Sequence, residues 1–383
     1  MKNILAIEIK DNKTVVTLTK IINGNHNLLL QKVYGSKPLA REVMYDNTII
    51  DQMKEDLSKH NLIDSINDII LTLNTKHTYV KSYPMELSYD TDINSKKEQL
   101  IAKIEKSNPE GVKIIDLKIS DIDSSLIKKQ ITVVAEMVSE DYLNEVKRLF
   151  KHKGFQITKV VSVIKAIENS TKKNSIKNGA TFNILLEEKF TQLSTLKDGK
   201  LISSLKWDFG LTNIYGYISK KMNIEKNSAK TLFAAFGSIP PEDVVDNKVI
   251  QTRSHGKELE IFTKKDLSKF ITEQVNTIFS DLKTQIDKIK KVTNIRIVLN
   301  GEITSLNGFK KYAAKSFAEP NITKFNSRII GLNEETEFIT VGILGEAKDK
   351  INTAIEGEIQ PVEKVLTPKI NIFKKLTRMY RYI

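Results

Sequence analysis

The chain opens with short runs of aliphatic and β-branched residues that are separated by turn-forming residues, a pattern typical of three consecutive β-strands. The runs span residues 4–9, 14–19 and 28–33, and Asn23-Gly24-Asn25 marks the second turn. A similar pattern returns at 182–186, 191–196 and 201–207, with Lys197-Asp198-Gly199-Lys200 as a turn. Helical spacing follows both groups, so the sequence predicts a duplicated α/β unit.

A distinct block lies between the two groups. Residues 94–107 have helical spacing and 130–138 read as a strand, after which Ser139 is placed to cap a helix that ends near Gly154. The pattern predicts an inserted α+β subdomain over residues 84–154. It would interrupt a first domain composed of residues 1–83 and 155–205.

The second half contains the longest helical pattern. Thr263 and Asp266 form a start similar to a capping box, and an apolar stripe continues from Leu267 to Ile289. A buried strand is predicted at 295–299. We therefore expect a second domain over 206–350, a linker over 351–368 in which prolines interrupt any periodicity, and a terminal helix over 369–383.

Composition limits the class of protein. The chain has 383 residues, no cysteine and 40% hydrophobic residues, so it is expected to fold into globular domains without disulfides or thiolate chemistry. The sequence has no apolar run that resembles a signal peptide or a membrane-spanning helix, which predicts a cytoplasmic protein. The scattered histidines predict no metal site. Phosphate-loop, dinucleotide-binding and hydrolase-elbow motifs are absent from the sequence, which argues against an enzyme.

The net charge of +13 is unevenly distributed. Six basic residues and no acidic residue follow Glu363, which leaves +7 for the rest of the chain. In that larger part, lysines alternate with acidic residues and no basic patch with interleaved aromatic residues is visible, so nucleic acid is not the expected partner.

The last fifteen residues have the profile of a helix that lies in a membrane interface. Helical spacing places its apolar residues on one face and its basic residues on the other. The apolar set is Ile372, Phe373, Leu376, Met379, Tyr380 and Ile383, and the basic set is Lys374, Lys375, Arg378 and Arg381. We expect contact with an anionic membrane surface; the alternative is a terminal helix that docks on the core of the protein itself.

Four segments of the chain carry a family resemblance: the insert ending at Gly154, the segment 230–238 (Lys-Thr-Leu-Phe-Ala-Ala-Phe-Gly-Ser), the strand and turn 298–302 (Val-Leu-Asn-Gly-Glu) and the segment 340–345 (Thr-Val-Gly-Ile-Leu-Gly). In this order they are similar to segments of the FtsA family of actin-like cell-division proteins. The resemblance implies an actin-like α/β fold of two duplicated domains around a cleft. It also implies a cytoplasmic scaffold that binds FtsZ, self-associates, and attaches peripherally to the cell membrane at the division septum.

The resemblance also assigns a nucleotide site, at which this chain departs from the family. The residues at the corresponding positions are Glu8, Lys10, Gly210, Asn300, Gly301 and Glu302. The first phosphate loop has Glu8 and Lys10 where the family has aspartate and glycine, and the second, residues 185–191, contains no glycine. Added carboxylates repel phosphate and bulky side chains block close approach of the backbone, so ATP with Mg²⁺ is expected to bind weakly and little or no hydrolysis is expected.

Two other interpretations stay open. A PilM-like component of type IV pilus assembly has the same fold and insert, and it would bind a peptide of a membrane partner without requiring a basic amphipathic terminus. An active ATPase related to sugar kinases would require the glycine-rich phosphate loops that this sequence lacks.

Overall fold

The computed structural model describes most of the chain before residue 353. The described residues are 2–11, 13–35, 47–75, 77–88, 97–107, 111–123, 128–172, 175–255, 258–290, 294–327, 329–332 and 337–352. The predicted linker lies almost wholly outside these ranges, and the predicted terminal helix lies outside them entirely. The chain folds into two compact units: the described residues of 1–174, 199–204 and 326–383, and those of 175–198 and 205–325.

The first unit is built on a five-stranded sheet. Its strands are β1 (Lys2–Lys10), β2 (Lys13–Ile22), β3 (Asn25–Gly35), β4 (Asp68–Asn74) and, after three strands of another sheet, β8 (Lys159–Val160), in the order β3-β2-β1-β4-β8. Strands β1 and β2 are antiparallel, whereas β1 and β4 are parallel, with Glu8 opposite Thr72 and Lys10 opposite Asn74. Helix α1 (Thr48–Lys59) contributes to the hydrophobic core beside this sheet.

A second, three-stranded sheet belongs to the predicted insert. It contains β5 (Thr78–Ser88), β6 (Val112–Asp123) and β7 (Lys128–Ser139) in the order β5-β7-β6, with helix α2 (Lys97–Lys106) against β6. This sheet has its own small core, which includes Ile104, Val133 and Met137. It begins six residues before the predicted boundary at 84, since β5 continues almost directly from β4.

Helix α3 (Glu140–His152) was predicted as the end of the insert, but its apolar face packs elsewhere. Tyr142, Leu143, Val146, Leu149 and Phe150 join the core of the first five-stranded sheet. The predicted cap is confirmed, because the Ser139 hydroxyl accepts a hydrogen bond from the amide of Tyr142 at 3.5 Å.

The second five-stranded sheet has the same topology as the first and lies mostly in the second unit, although residues 200–204 of its edge strand are grouped with the first unit. Strands β9 (Gly179–Leu186), β10 (Thr191–Lys197), β11 (Lys200–Trp207), β14 (Asn294–Asn300) and β15 (Ile322–Lys324) lie in the order β11-β10-β9-β14-β15. Strands β9 and β10 are antiparallel, and β9 and β14 are parallel. Both sheets thus begin with a three-stranded meander and then add parallel strands, which confirms the predicted duplication.

Within the described residues, the second unit also contains four α-helices and a pair of antiparallel strands. They are α5 (Leu211–Met222), α6 (Lys226–Phe236), β12 (Val249–His255), β13 (Glu258–Thr263), α7 (Lys264–Lys290) and α8 (Phe309–Ser316). The predicted start of α7 is confirmed. The Asp266 carboxylate accepts from the amide of Thr263 at 2.9 Å, and the Thr263 hydroxyl accepts from the amide of Asp266 at 3.3 Å.

Two helices of the first unit pack tightly on each other. They are α4 (Val163–Thr171) and α9 (Glu337–Asn352), which also contacts β1 and β4. Residues 155–205 were predicted to complete the first domain, but residues 175–198 belong to the second unit because β9 pairs with β14. Residues 206–350 were predicted as one domain, whereas α9 belongs to the first unit because it packs on α4 and on the first sheet. No helix in the described ranges is long and apolar enough to cross a membrane.

Candidate functional site

In the first unit, the predicted site residues Glu8 and Lys10 lie together at the carboxyl end of β1. Both side chains are buried, and the Lys10 ammonium lies 3.5 Å from Oε1 of Glu8. The same oxygen accepts a hydrogen bond from Nδ2 of Asn74 at 3.0 Å. Asn74 ends the neighbouring parallel strand, so the register of β1 and β4 creates this cluster. A lysine therefore supplies the positive charge beside the carboxylate.

In the second unit, Gly210 lies against the end of β9. A Cβ atom at Gly210 would come within 2.6 Å of the carbonyl oxygens of both Glu187 and Glu188. Such close contact with backbone requires glycine, which explains this residue at this position.

The backbone amides at the start of α5 are already used. The amide of Leu211 donates to the Glu187 carbonyl at 3.1 Å, and that of Thr212 donates to the Glu188 carbonyl at 2.8 Å. The amide of Asn213 donates to the Gly210 carbonyl at 3.0 Å, while the Asn213 side chain accepts from the amide of Gly210 at 2.9 Å. The free amides at a helix N-terminus are the groups that bind phosphate in many proteins. In this protein, the three amides that begin α5 already donate hydrogen bonds to carbonyls of the chain itself.

Carboxylates near the end of β9 also oppose the binding of phosphate. Glu187 and Glu188 form the turn between β9 and β10, which the amide of Glu187 closes by donating to the Phe190 carbonyl at 2.9 Å. Glu188 has a basic neighbour in Lys230, whose Nζ is 3.8 Å from its carboxylate. The two carboxylates oppose the approach of a phosphate to this turn, although Lys230 offsets the charge of Glu188.

The remaining predicted residues lie on the other side of the end of β9. Asn300 ends β14, opposite Leu185, and its side chain donates to Oδ1 of Asn183 at 2.7 Å. Gly301 has φ +94°, and a Cβ there would come within 2.2 Å of the Leu186 carbonyl oxygen. Glu302 then starts a short 3-10 turn, Glu302–Ser305. Gly210, Asn300 and Gly301 are therefore gathered around the end of one strand.

The residues present do not fit a nucleotide with Mg²⁺. In the first unit, Glu8, the residue at the position of the metal-organising acid, is paired with Lys10. In the second unit, the amides that begin α5 are bonded within the protein. Sequence reasoning missed Asn74 and Asn213, although a polar residue at the end of a buried strand and an asparagine three residues after Gly210 were both visible signals.

Comparison with known proteins shows the fold. No protein-family model and no curated protein matches the chain. A solved structure of the PilM-PilN type IV pilus biogenesis complex is similar with a TM-score of 0.66 and 12% identity, over 90% of this chain and 98% of that chain. MreB5 of Spiroplasma citri bound to ADP is similar with a TM-score of 0.53 and 10% identity, over 94% and 99% of the two chains. The predicted fold is confirmed: this chain has the actin-like ATPase fold.

Proposed function

We propose that the chain is an actin-fold scaffold that does not hydrolyse nucleotide and that tethers FtsZ polymers to the cytoplasmic face of the cell membrane at the division septum. The observation that carries the scaffold assignment is the start of α5, where carbonyls of the chain itself accept from the amides that a helix N-terminus would otherwise offer to a phosphate. The buried pair of Lys10 and Glu8 supports it from the first unit. Several copies are proposed to associate along the polymer.

The proposed membrane contact is made by residues 369–383. Each of the four basic residues on their polar face contributes about 1 kcal/mol near an anionic surface. Half-burial of the six apolar side chains adds about 0.8–1.5 kcal/mol for each of them. Ordering a short helix offsets part of this gain, so a single copy attaches reversibly, and many copies on one polymer hold firmly.

A PilM-like role is the second candidate. Its support is the similarity to the PilM-PilN complex, which at 12% identity extends to the fold alone. In that role the chain would bind a peptide of a membrane partner. The basic amphipathic terminus favours the tether, because capture of a partner peptide does not need one.

Vesicle co-sedimentation separates the two roles. We expect the full chain to pellet with phosphatidylglycerol-containing vesicles and to bring purified FtsZ with it, with GTP present to assemble the FtsZ and without added ATP. A chain that ends at Gln360 should leave both in the supernatant, and Lys374→Gln with Lys375→Gln should weaken pelleting several-fold. The matched control is Lys220→Gln with Lys226→Gln, two exposed lysines of the second unit, which should pellet like the parent. Equal pelleting of the full and shortened chains would contradict the tether and favour the pilus role.

A further inference from the structure

The end of β1 in the first unit carries its charged residues on one face of the sheet. Ile7 and Ile9 belong to the hydrophobic core, whereas Glu8 and Lys10, which alternate with them, lie together on the opposite face. Glu8 has 1% of its surface exposed and Lys10 has 8%. A carboxylate that is buried to this extent requires compensation, because an isolated charge away from water strongly destabilises a fold.

Polar groups of the neighbouring strand β4 complete the surroundings of Glu8. Thr72 is opposite Glu8 in the parallel register, so its side chain lies on the same face of the sheet. Thr72 is fully buried, and its hydroxyl has no hydrogen-bond partner among the residues that the structure describes. Asn74 donates to Oε1 of Glu8 at 3.0 Å, and the Lys10 ammonium lies 3.5 Å from the same oxygen. Carboxylate and hydroxyl oxygens are ligands that Mg²⁺ and Mn²⁺ prefer, and the group beside them here is an ammonium.

The second five-stranded sheet provides an internal comparison, because its topology is the same. Asn74 ends β4 opposite Lys10, and Asn300 ends β14 opposite Leu185. Two residues before Leu185, at the place that the carboxylate has in β1, is Asn183, which accepts from the Asn300 side chain at 2.7 Å. The second sheet therefore has leucine next to a neutral amide, and the first sheet has lysine next to a carboxylate. The lysine follows the charge of its neighbour.

We propose that Lys10 is a built-in cation of the first unit. Its ammonium occupies a buried cation site formed by Glu8, Thr72 and Asn74, and this site would take a divalent metal ion if the ammonium were removed. Because the ammonium is attached to the chain, it balances the carboxylate without the binding of any ligand. The inference rests on the proposed function only in what it means for a scaffold, which would need neither Mg²⁺ nor nucleotide to hold its first unit together.

Lys10→Met tests the role of the charge, because methionine keeps most of the volume and leaves the carboxylate unpaired. We expect it to lower the melting temperature in EDTA, followed by circular dichroism, by roughly 4–12 °C. Glu8→Gln with Lys10→Met removes both charges and should recover most of this loss, as the neutral pair of the second sheet indicates. The matched control is Lys59→Met in α1, an exposed lysine 2.7 Å from Glu55, which should melt within about 2 °C of the parent.

Lys10→Ala tests the cation site itself, because it removes the ammonium and leaves room in its place. We expect this variant to bind a single additional Mn²⁺ per chain relative to the parent, counted from the electron paramagnetic resonance signal of free Mn²⁺. At ten times the dissociation constant, Mn²⁺ should raise its melting temperature by roughly 3–6 °C. Lys10→Met, in which methionine fills the space, should gain no ion, and Glu8→Gln with Lys10→Ala should lose the additional one.

Each outcome decides the inference. Equal Mn²⁺ counts for the parent and Lys10→Ala, or parental melting of Lys10→Met, would overturn the built-in cation. If Lys10→Ala is unfolded in EDTA, folding on addition of Mn²⁺ would support the inference. Failure to fold in both conditions, while Glu8→Gln with Lys10→Ala folds, would show that no ion replaces the ammonium and would overturn it; failure of both variants would do the same.

These measurements are independent of membranes and of FtsZ. Loss of vesicle binding by the full chain would overturn the tether and leave the built-in cation standing. Conversely, a parent chain that binds vesicles, with a Lys10→Ala variant that takes no additional Mn²⁺, would uphold the tether and overturn the built-in cation.

Discussion

Gly342→Ala is expected to destabilise the first unit by about 3 kcal/mol or more. A Cβ at this position of α9 would lie 2.0 Å from the carbonyl oxygen of Ala166 in α4 and 2.5 Å from its carbonyl carbon. The obstructing atoms are backbone, so no side chain can rotate away, and the two helices must separate. Their separation would also stretch the hydrogen bond from Asn169 Nδ2 to the Gly342 carbonyl, which is 3.0 Å long.

Gly216→Ala in α5 is the matched control for this experiment. It makes the same change in another helix, where a Cβ would meet no atom within 4 Å. Alanine should leave stability unchanged there or raise it by up to about 1 kcal/mol, because it favours helix more than glycine does. Urea unfolding followed by circular dichroism compares the two variants. Equal midpoints for Gly342→Ala and the parent would show that α4 and α9 do not pack as described.

Glu136→Ala is expected to cost a comparable amount, about 3–5 kcal/mol. Glu136 lies on β7 with no exposed surface, and its two carboxylate oxygens accept hydrogen bonds from the amides of Val163 and Ile164, each at 2.8 Å. These amides begin α4, so a buried carboxylate of the three-stranded sheet satisfies the positive end of this helix. Alanine would leave both amides buried without an acceptor.

Glu136→Gln separates this explanation from simple loss of volume. Glutamine has nearly the same shape but one acceptor oxygen, so its cost should lie between those of the parent and of alanine. Glu140→Ala removes an exposed carboxylate four residues along and should change the free energy of unfolding by less than about 0.5 kcal/mol. If Glu136→Ala and Glu140→Ala unfold at the same urea concentration, the link between β7 and α4 has no energetic importance.

Local patterns predicted the strands and helix starts well, because these depend on neighbours in sequence. The two meanders, the Ser139 cap and the Thr263 and Asp266 pair were all visible in short segments. The packing of α9 on the first unit could not be predicted from any short segment. Its contacts join residues about 170 positions apart, such as the Ser170 hydroxyl and the Phe338 carbonyl. The role of Glu136 was hidden for the same reason.

The candidate site shows the same division. The sequence located Glu8, Lys10, Gly210, Asn300 and Gly301 by resemblance, and their side-chain chemistry predicted poor phosphate binding. The strongest reason to expect poor phosphate binding is in the backbone, where the carbonyls of residues 187 and 188 accept hydrogen bonds from the amides that begin α5. Such backbone hydrogen bonds do not depend on residue type, so they cannot be predicted from the sequence and only the structure reveals them.

Titration calorimetry of the full chain with ATP and Mg²⁺ is the most direct test of the claim that this protein is a scaffold without a working nucleotide site. We expect no saturable heat up to millimolar ATP and no release of phosphate, while an actin-fold ATPase measured alongside binds and hydrolyses ATP. Saturable binding with a micromolar Kd would show a working nucleotide site and would contradict this claim.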